Sequence, residues 1–121
     1  MARAIRFHQI GGPEVLKLET AQVGEPGPGQ ARVRHTYVAV NFIDIYFRTG
    51  QYPLQLPNGI GSDAVGVVEA VGPGVTDIRV GDRVGYLIGP QSAYSDVRIV
   101  PADVLIPISE TSGATVLIYR M

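Results

Sequence analysis

Short runs of β-branched and apolar residues are separated by glycine and proline along this whole chain, and this pattern most restricts its fold. The sequence has 15 glycines and 9 prolines in 121 residues. These two residue types interrupt helices and suit tight turns, so the pattern favours short strands joined by turns. We therefore predict a mainly β fold, with roughly seven or eight short strands forming a barrel or a sandwich.

Several runs show the alternation that strands require. In ARVRHTYVAVN, polar Arg32 and Arg34 alternate with Val33 and His35, which places the two pairs on opposite sides of the pleat. Near the start, RAIRFHQI and VLKLET flank the turn sequence GGPE and predict a hairpin. The other predicted strands are AVGVVEAVG, VGDRVGYLI, AYSDVRIV and ATVLIY.

One segment breaks the β pattern. In NFIDIYFRTG, polar Asn41 and Asp44 interrupt an apolar run, and the run ends at Gly50. Asparagine is a common helix N-cap and glycine a common residue just after a helix, so we predict a short helix from Asn41 to Thr49.

Composition excludes several classes of function. The chain has no cysteine, which excludes a disulfide framework and a thiolate zinc site, and its two histidines are too few for a metal cluster. The formal net charge is −1, so we expect neither nucleic acid nor a membrane surface as a partner. The sequence has no run long enough to span a bilayer and no signal peptide pattern, and we expect a single cytoplasmic domain.

Glycines mark both ends of a valine-rich strand in GIGSDAVGVVEAVGPGVTDIRVGDRV, Gly59 to Val84. The order resembles the G-x-E-x-x-G and G-D-x-V signature of the medium-chain dehydrogenase/reductase superfamily, whose catalytic domain is a GroES-like, partly open β-barrel. The stretches FHQIGGPEVL, NFIDIYFRTGQYP and AYSDVRIVPAD further resemble its zinc-independent quinone oxidoreductases. This resemblance covers Met1 to about Pro107. It implies hydride transfer from NADPH to a quinone, without a metal.

The sequence departs from the metal-using members of the superfamily at three positions. Those members have a cysteine where this chain has Asn41 and a histidine where it has Ser62, and their usual glutamate is here Asp63. An amide and a hydroxyl are poor ligands for zinc, so we expect no metal site.

The resemblance also shows what this sequence lacks. The superfamily's cofactor domain is a Rossmann fold with a glycine-rich turn opening a helix, and no segment here has that spacing in that context. The ending ATVLIYRM resembles the family's own C-terminal strand. We therefore expect one GroES-like domain over residues 1–121, with 1–109 its N-terminal part and about 110–121 a returning strand. A splice near Ser109 to Ser112 would then mark deletion of the cofactor domain.

By the same resemblance, NFIDIYFRTGQYP lines the cleft between catalytic and cofactor domains. The implied catalytic residues are Asn41, Asp44, Tyr46 and Tyr52. The implied cofactor-binding residues are Asn41, Phe42, Tyr46 and Ser62. Phe42, Ile43 and Ile45 would hold the helix in the core.

A purely structural interpretation of the same residues stays open. In it, Asn41 caps the helix, Asp44 forms an i,i+4 ion pair with Arg48, and the tyrosines are half-buried core. On either interpretation we expect Asp82 to secure a turn and Tyr94 to belong to the core.

Two functions remain. The chain is either the catalytic-domain fragment of an NADPH-dependent quinone oxidoreductase, inactive alone, or an autonomous GroES-like scaffold or interaction module. The first implies a quinone-type molecule and the missing Rossmann domain as partners, with NADPH as the parent family's cofactor and none bound by this chain alone. Homo-oligomer formation is left open. A chaperonin cofactor is a weaker alternative, because the sequence has no good candidate for a long mobile loop.

Overall fold

The structure, a computed structural model, describes residues 2–87 and 91–108. Within them the chain is mainly β, as predicted. The strands are β1 (Ala2–Phe7), β2 (Lys17–Ala21), β3 (Gln30–Val38), β4 (Asn58–Gly59), β5 (Ala64–Val71), β6 (Arg83–Tyr86), β7 (Val97–Pro101) and β8 (Ile106–Pro107). One α-helix, α1 (Phe42–Thr49), and two single 3-10 turns, Pro13–Val15 and Ala102–Val104, complete the described elements.

The strands form two antiparallel sheets. The smaller has the order β2-β1-β4, and its β1–β2 pair is the predicted hairpin, with Ile5 opposite Leu18. The larger has the order β7-β3-β5-β6-β8, with ARVRHTYV at its centre. In the described part of the chain the two sheets do not close on themselves, in agreement with the partly open barrel that the sequence predicts.

The core follows from the alternation along the central strands. Val33 of β3, Val68 of β5 and Val84 of β6 are buried in one apolar cluster with Val100 of β7. A second, smaller cluster is built around Phe7 and packs under the hairpin. Burying each such side chain stabilises the fold by about 1.5–3 kcal/mol relative to leaving it exposed. The buried faces of β3 and β5 thus fix the sheet from which the following segments project.

Local signals set the bounds of α1. Asn41 is its N-cap, in extended conformation, and Gly50 ends it with a φ of 86°, a left-handed conformation that favours glycine. The predicted helix is confirmed at both ends. Since α1 follows the last residues of β3 directly, the central sheet determines where its N-terminus lies.

Two predicted strands differ from the structure or fall outside it. In AYSDVRIV only Val97 onward is strand; before it, the Tyr94 N–H donates to Ile60 O and the Asp96 N–H donates to Arg3 O. The segment therefore crosses to the smaller sheet before joining the larger one. The returning strand predicted at about 110–121, including ATVLIY, lies outside the described residues and stays a prediction.

No helix among the described residues is both long and apolar enough to cross a membrane.

Candidate functional site

The N-terminus of α1 brings together residues that are distant in sequence. Asn41 donates from its backbone N–H to Asp44 Oδ2 at 3.0 Å, and from Nδ2 to Asp63 Oδ2 at 2.6 Å. One residue thus bridges two carboxyl groups, one on the helix and one on the segment before β5. Asn41 caps α1, as the structural interpretation predicted, and it also ties the helix to the larger sheet.

Asp44 is buried although it lies on a short surface helix. Only 3% of its surface is exposed. Its Oδ2 also accepts a 2.5 Å hydrogen bond from the Tyr94 hydroxyl. The predicted ion pair with Arg48 is wrong, because the Arg48 Nε donates to the carbonyl of Gly11 at 3.1 Å instead. Helix α1 is therefore held by two polar contacts, one from Asp44 to Tyr94 and one from Arg48 to Gly11.

Asp63 is the second buried carboxyl group, with 2% of its surface exposed. Burial raises the pKa of Asp63, as does the nearby charge of Asp44, while the hydrogen bond from Asn41 lowers it. On each of the two carboxyl groups one oxygen, Oδ1, is buried without a hydrogen-bond partner. This concentration of acceptors makes the helix N-terminus acidic, and it disfavours an anion there.

Tyr94 is a contributor to this cluster that the sequence pattern did not identify. We predicted it as core, and its ring does pack against the smaller apolar cluster. Burial and the bond to Asp44 both raise the pKa of Tyr94, so its hydroxyl keeps its hydrogen and donates it. Fifty residues separate the two partners, and neither spacing nor composition indicates such a contact.

Ser62 joins the cluster through a second unpredicted residue. Gln91 Nε2 donates to Ser62 Oγ at 2.9 Å. Asn41 bridges Asp44 and Asp63. Of the segment after residue 90, Tyr94 bonds to Asp44 itself and Gln91 bonds to Ser62, the neighbour of Asp63. Elsewhere, Asp82 accepts the Arg79 N–H at 2.9 Å and secures its turn, as predicted.

Phe42, Ile43 and Ile45 are not in the core, which contradicts the expectation that they hold the helix there. Phe42 is 80% exposed, while Ile43 is 38% and Ile45 40% exposed. Val40, just before the helix, is 80% exposed as well. The helix buries its polar side because Asp44 and Arg48 find partners there. What remains outside is an apolar surface beside a polar cluster.

Tyr46 lies one helical turn after Phe42 on α1, and Tyr52 follows the helix. Their rings meet edge to face with centroids 5.4 Å apart, and the ring of Phe47 packs on Tyr52 at 5.8 Å. Tyr46 is 37% and Tyr52 44% exposed, so both are half-buried against their aromatic neighbours, although neither belongs to the two apolar clusters. Of the predicted catalytic residues in this segment, Tyr46 and Tyr52 are thus partly exposed to solvent, whereas Asp44 is buried.

A cavity of about 320 Å³ opens between α1 and the segments around Ile60 and Tyr94. Its walls include exposed Val40 and Phe42, and Asn41 and Asp44 contribute polar groups. Among the described residues there is no group of three histidine, aspartate or glutamate side chains able to hold a metal. The amide, hydroxyl and single carboxylate at Asn41, Ser62 and Asp63 are also not the nitrogen and sulfur donors that zinc prefers.

Comparison with known proteins places the chain among larger proteins. Residues 27–110 match the family model described as the alcohol dehydrogenase GroES-like domain. Over 111 residues the chain is 47% identical to a quinone oxidoreductase of Pseudomonas aeruginosa, covering 91% of this chain and 34% of that protein. It is 46% identical over 112 residues to a 2-haloacrylate reductase of a Burkholderia species, covering 89% of this chain and 34% of that protein.

The chain also superposes closely on one part of larger solved structures. The quinone oxidoreductase of Pseudomonas syringae superposes with a TM-score of 0.90 at 45% identity, over 93% of this chain and 35% of that one. The Escherichia coli quinone oxidoreductase complexed with NADPH gives 0.89 at 38% identity, over 93% and 35%. The chain therefore spans about a third of the length of the relatives it matches.

Proposed function

The chain belongs to the family of alcohol dehydrogenase GroES-like domains, and from this premise we propose that it is the catalytic-domain part of an NADPH-dependent quinone oxidoreductase, inactive by itself. The observation that carries the proposal is the exposed apolar surface of α1 beside the buried Asp44–Asn41–Asp63 cluster. A polar cluster with an uncovered apolar border has the character of half a binding cleft. Relatives about three times as long, named quinone oxidoreductases, support the assignment.

In this proposal NADPH, when bound, supplies the hydride. Asn41, Phe42, Tyr46 and Ser62 hold the nicotinamide end, since the exposed ring of Phe42 borders the cavity and Tyr46 lies one helical turn further along α1. Asn41, Tyr46 and Tyr52 orient the quinone. Asp44 takes part through Asn41 and Tyr94, because its carboxyl group is buried and already accepts hydrogen bonds from both.

The described residues suit only one end of the cofactor. The helix N-terminus, which in many folds receives a phosphate, here has the buried carboxyl group of Asp44 in its first turn and that of Asp63 against its N-cap, an arrangement unfavourable for a pyrophosphate. A few exposed hydrogen bonds contribute about 1 kcal/mol each. Association costs on the order of 4–15 kcal/mol in lost translational and rotational freedom, so contacts to the nicotinamide alone do not give tight binding. We propose that a Rossmann domain supplies the remaining contacts and the second wall of the cleft.

The experiment is a domain exchange. The chain replaces the matching third of the Pseudomonas aeruginosa quinone oxidoreductase, and NADPH oxidation is followed with a quinone and, in parallel, with 2-haloacrylate. We expect the chimera to oxidise NADPH, and the chain alone to show no binding below the millimolar range by titration calorimetry. In the chimera, Tyr46→Phe should lower kcat/KM, whereas Tyr37→Phe, at an exposed tyrosine outside the cluster, should not.

Two results would contradict the proposal. One is micromolar NADPH binding by the chain alone, which would mean that a complete cofactor site exists in these residues. The other is a folded chimera that binds NADPH and reduces neither acceptor.

The second candidate is an autonomous scaffold or interaction module, and the same exposed side chains at Val40 and Phe42 favour it. The chimera separates the two candidates. A module needs no cofactor domain and gains no reductase activity from one.

A further inference from the structure

A half-buried histidine in the larger sheet has both ring nitrogens engaged. His35 lies on β3 opposite Gly66, with Nδ1 2.8 Å from the carbonyl oxygen of Ser95 and Nε2 2.9 Å from the Tyr86 hydroxyl. A carbonyl oxygen only accepts, so Nδ1 carries the hydrogen. In the neutral ring Nε2 is then an acceptor, and Tyr86 donates to it. The neutral tautomer satisfies both contacts.

Arg98 lies on the other side of Tyr86. Its Nη1 is 3.5 Å from the Tyr86 oxygen, and its guanidinium carbon is 5.7 Å from the ring centroid. Its Nη2 also donates a long bond, 3.4 Å, to the carbonyl of Gln91. A proton on His35 Nε2 turns the ring into a donor on both sides and forces the Tyr86 hydrogen towards Arg98, which can only donate. Protonation therefore disturbs the contacts that reach Gln91.

The net effect of the surroundings lowers the pKa of His35, which also favours the neutral ring. Burial is the largest cause that lowers the pKa of His35, and the nearby Arg98 lowers it further. The bond to Ser95 and the charge of Asp96 oppose this in part. On β6 the Tyr86 hydroxyl contacts the ring and Arg83 lies at the other end of the strand, while Gly66, the β5 residue opposite His35, carries no titratable group.

Gln91 in turn holds Ser62, through the 2.9 Å bond from its Nε2 to Ser62 Oγ. We propose that His35 is an acid-operated latch on this contact: the neutral imidazole keeps Tyr86, Arg98 and Gln91 in place, and a proton on Nε2 releases Gln91 from Ser62. The latch reaches the cluster at the start of α1 through Gln91 and Ser62, which precedes Asp63. It is a property of the described residues and holds whether or not the chain works in a reductase.

The test follows the side-chain NH2 signals of Gln91 and the ring signals of His35 in the 15N- and 13C-labelled chain. The pH is lowered from about 7.5 to about 4.5, across the range of a histidine with a depressed pKa. We expect the Gln91 signals to shift with the same midpoint as the His35 ring. In His35→Gln, whose amide keeps a donor and an acceptor but takes no proton in this range, that shift should be lost.

His8 provides the matched control. It is the other histidine of the chain and bonds to Glu19 on the smaller sheet, so His8→Gln should leave the Gln91 titration unchanged. Tyr86→Phe removes the donor that favours the neutral ring, and the His35 midpoint should rise. Asp63, next to Ser62, also titrates with a raised pKa. A Gln91 shift that persists in His35→Gln comes from Asp63 and overturns the latch, as does a wild-type Gln91 signal that stays constant while His35 titrates.

Discussion

Replacing Tyr94 by phenylalanine tests whether the buried carboxyl group of Asp44 depends on its distant partner. The substitution removes one hydroxyl and keeps the ring, so packing in the smaller apolar cluster is retained. Asp44 Oδ2 then loses its 2.5 Å donor. Since only 3% of Asp44 is exposed, solvent has little access to replace that donor.

The magnitude follows from this burial. A hydrogen bond to a charged group contributes about 1.5–3 kcal/mol, and leaving a buried acceptor short of a donor costs a similar amount. For a domain of this size that corresponds to a fall in Tm of about 5–10 °C. Thermal and urea unfolding followed by circular dichroism at pH 7 measure both quantities.

The matched control is Tyr37→Phe, which removes the same hydroxyl from a tyrosine that is 60% exposed. We expect that variant to lie within about 0.5 kcal/mol of the wild type. If Tyr94→Phe is equally stable, the Tyr94–Asp44 bond contributes nothing and α1 is held by other contacts.

The same bond gives an alkaline signature. Because the pKa of Tyr94 is raised in the folded state, its proton contributes stability below about pH 10, the ordinary tyrosine value. That contribution is lost as the pH rises above this value. The stability difference between wild type and Tyr94→Phe should therefore narrow above about pH 10.

Two further substitutions test the sheet and its surface charges. Gly66→Ala places a Cβ 2.2 Å from the carbonyl oxygen of Arg34 on the neighbouring strand, so the free energy of unfolding in urea should fall by about 2–3 kcal/mol or more. In the control Gly27→Ala the Cβ meets only the flexible Gln30 side chain, at 3.2 Å, and the loss should be far smaller. Arg3→Gln removes the main cause that lowers the pKa of Asp96, so the Asp96 carboxyl midpoint should rise towards its ordinary value in a 13C titration. The stabilisation from the Arg3–Asp96 pair is present above about pH 3.8 and is lost as the pH falls through the lowered pKa of Asp96. An Asp96 midpoint that is unchanged in Arg3→Gln would show that the ion pair does not form in solution.

The bounds of α1 could be predicted because they depend on local chemistry. Asparagine before the helix and glycine after it act through their own backbone geometry, and both lie within the segment itself. The hairpin of β1 and β2 was predictable for the same reason, since its turn residues stand between the two strands. Local preference was sufficient wherever the deciding contact lies nearby in sequence.

The orientation of α1 could not be predicted in this way. The helix has apolar Phe42, Ile43 and Ile45 beside Asp44, and the rule that apolar residues are buried gives the wrong face. The deciding contact is the hydroxyl of Tyr94, on a segment that we expected to be strand. Hydrophobic pattern does not identify a buried carboxyl group whose partner is fifty residues away.

The inverted helix also bears on the choice between the proposed functions. Val40 and Phe42 are exposed while Asp44 is buried. Covering each of these two apolar side chains would stabilise the fold by about 1.5–3 kcal/mol. An isolated domain gains nothing from this arrangement, because the opposite face would cover apolar surface and keep the carboxyl group in water. In the proposed reductase a Rossmann domain would cover the apolar face, and the polar contacts of Asp44 would hold the helix in place before that domain docks. The orientation of α1 is thus costly for a free-standing scaffold and useful for one wall of a cleft, which is the physical reason for preferring the reductase proposal.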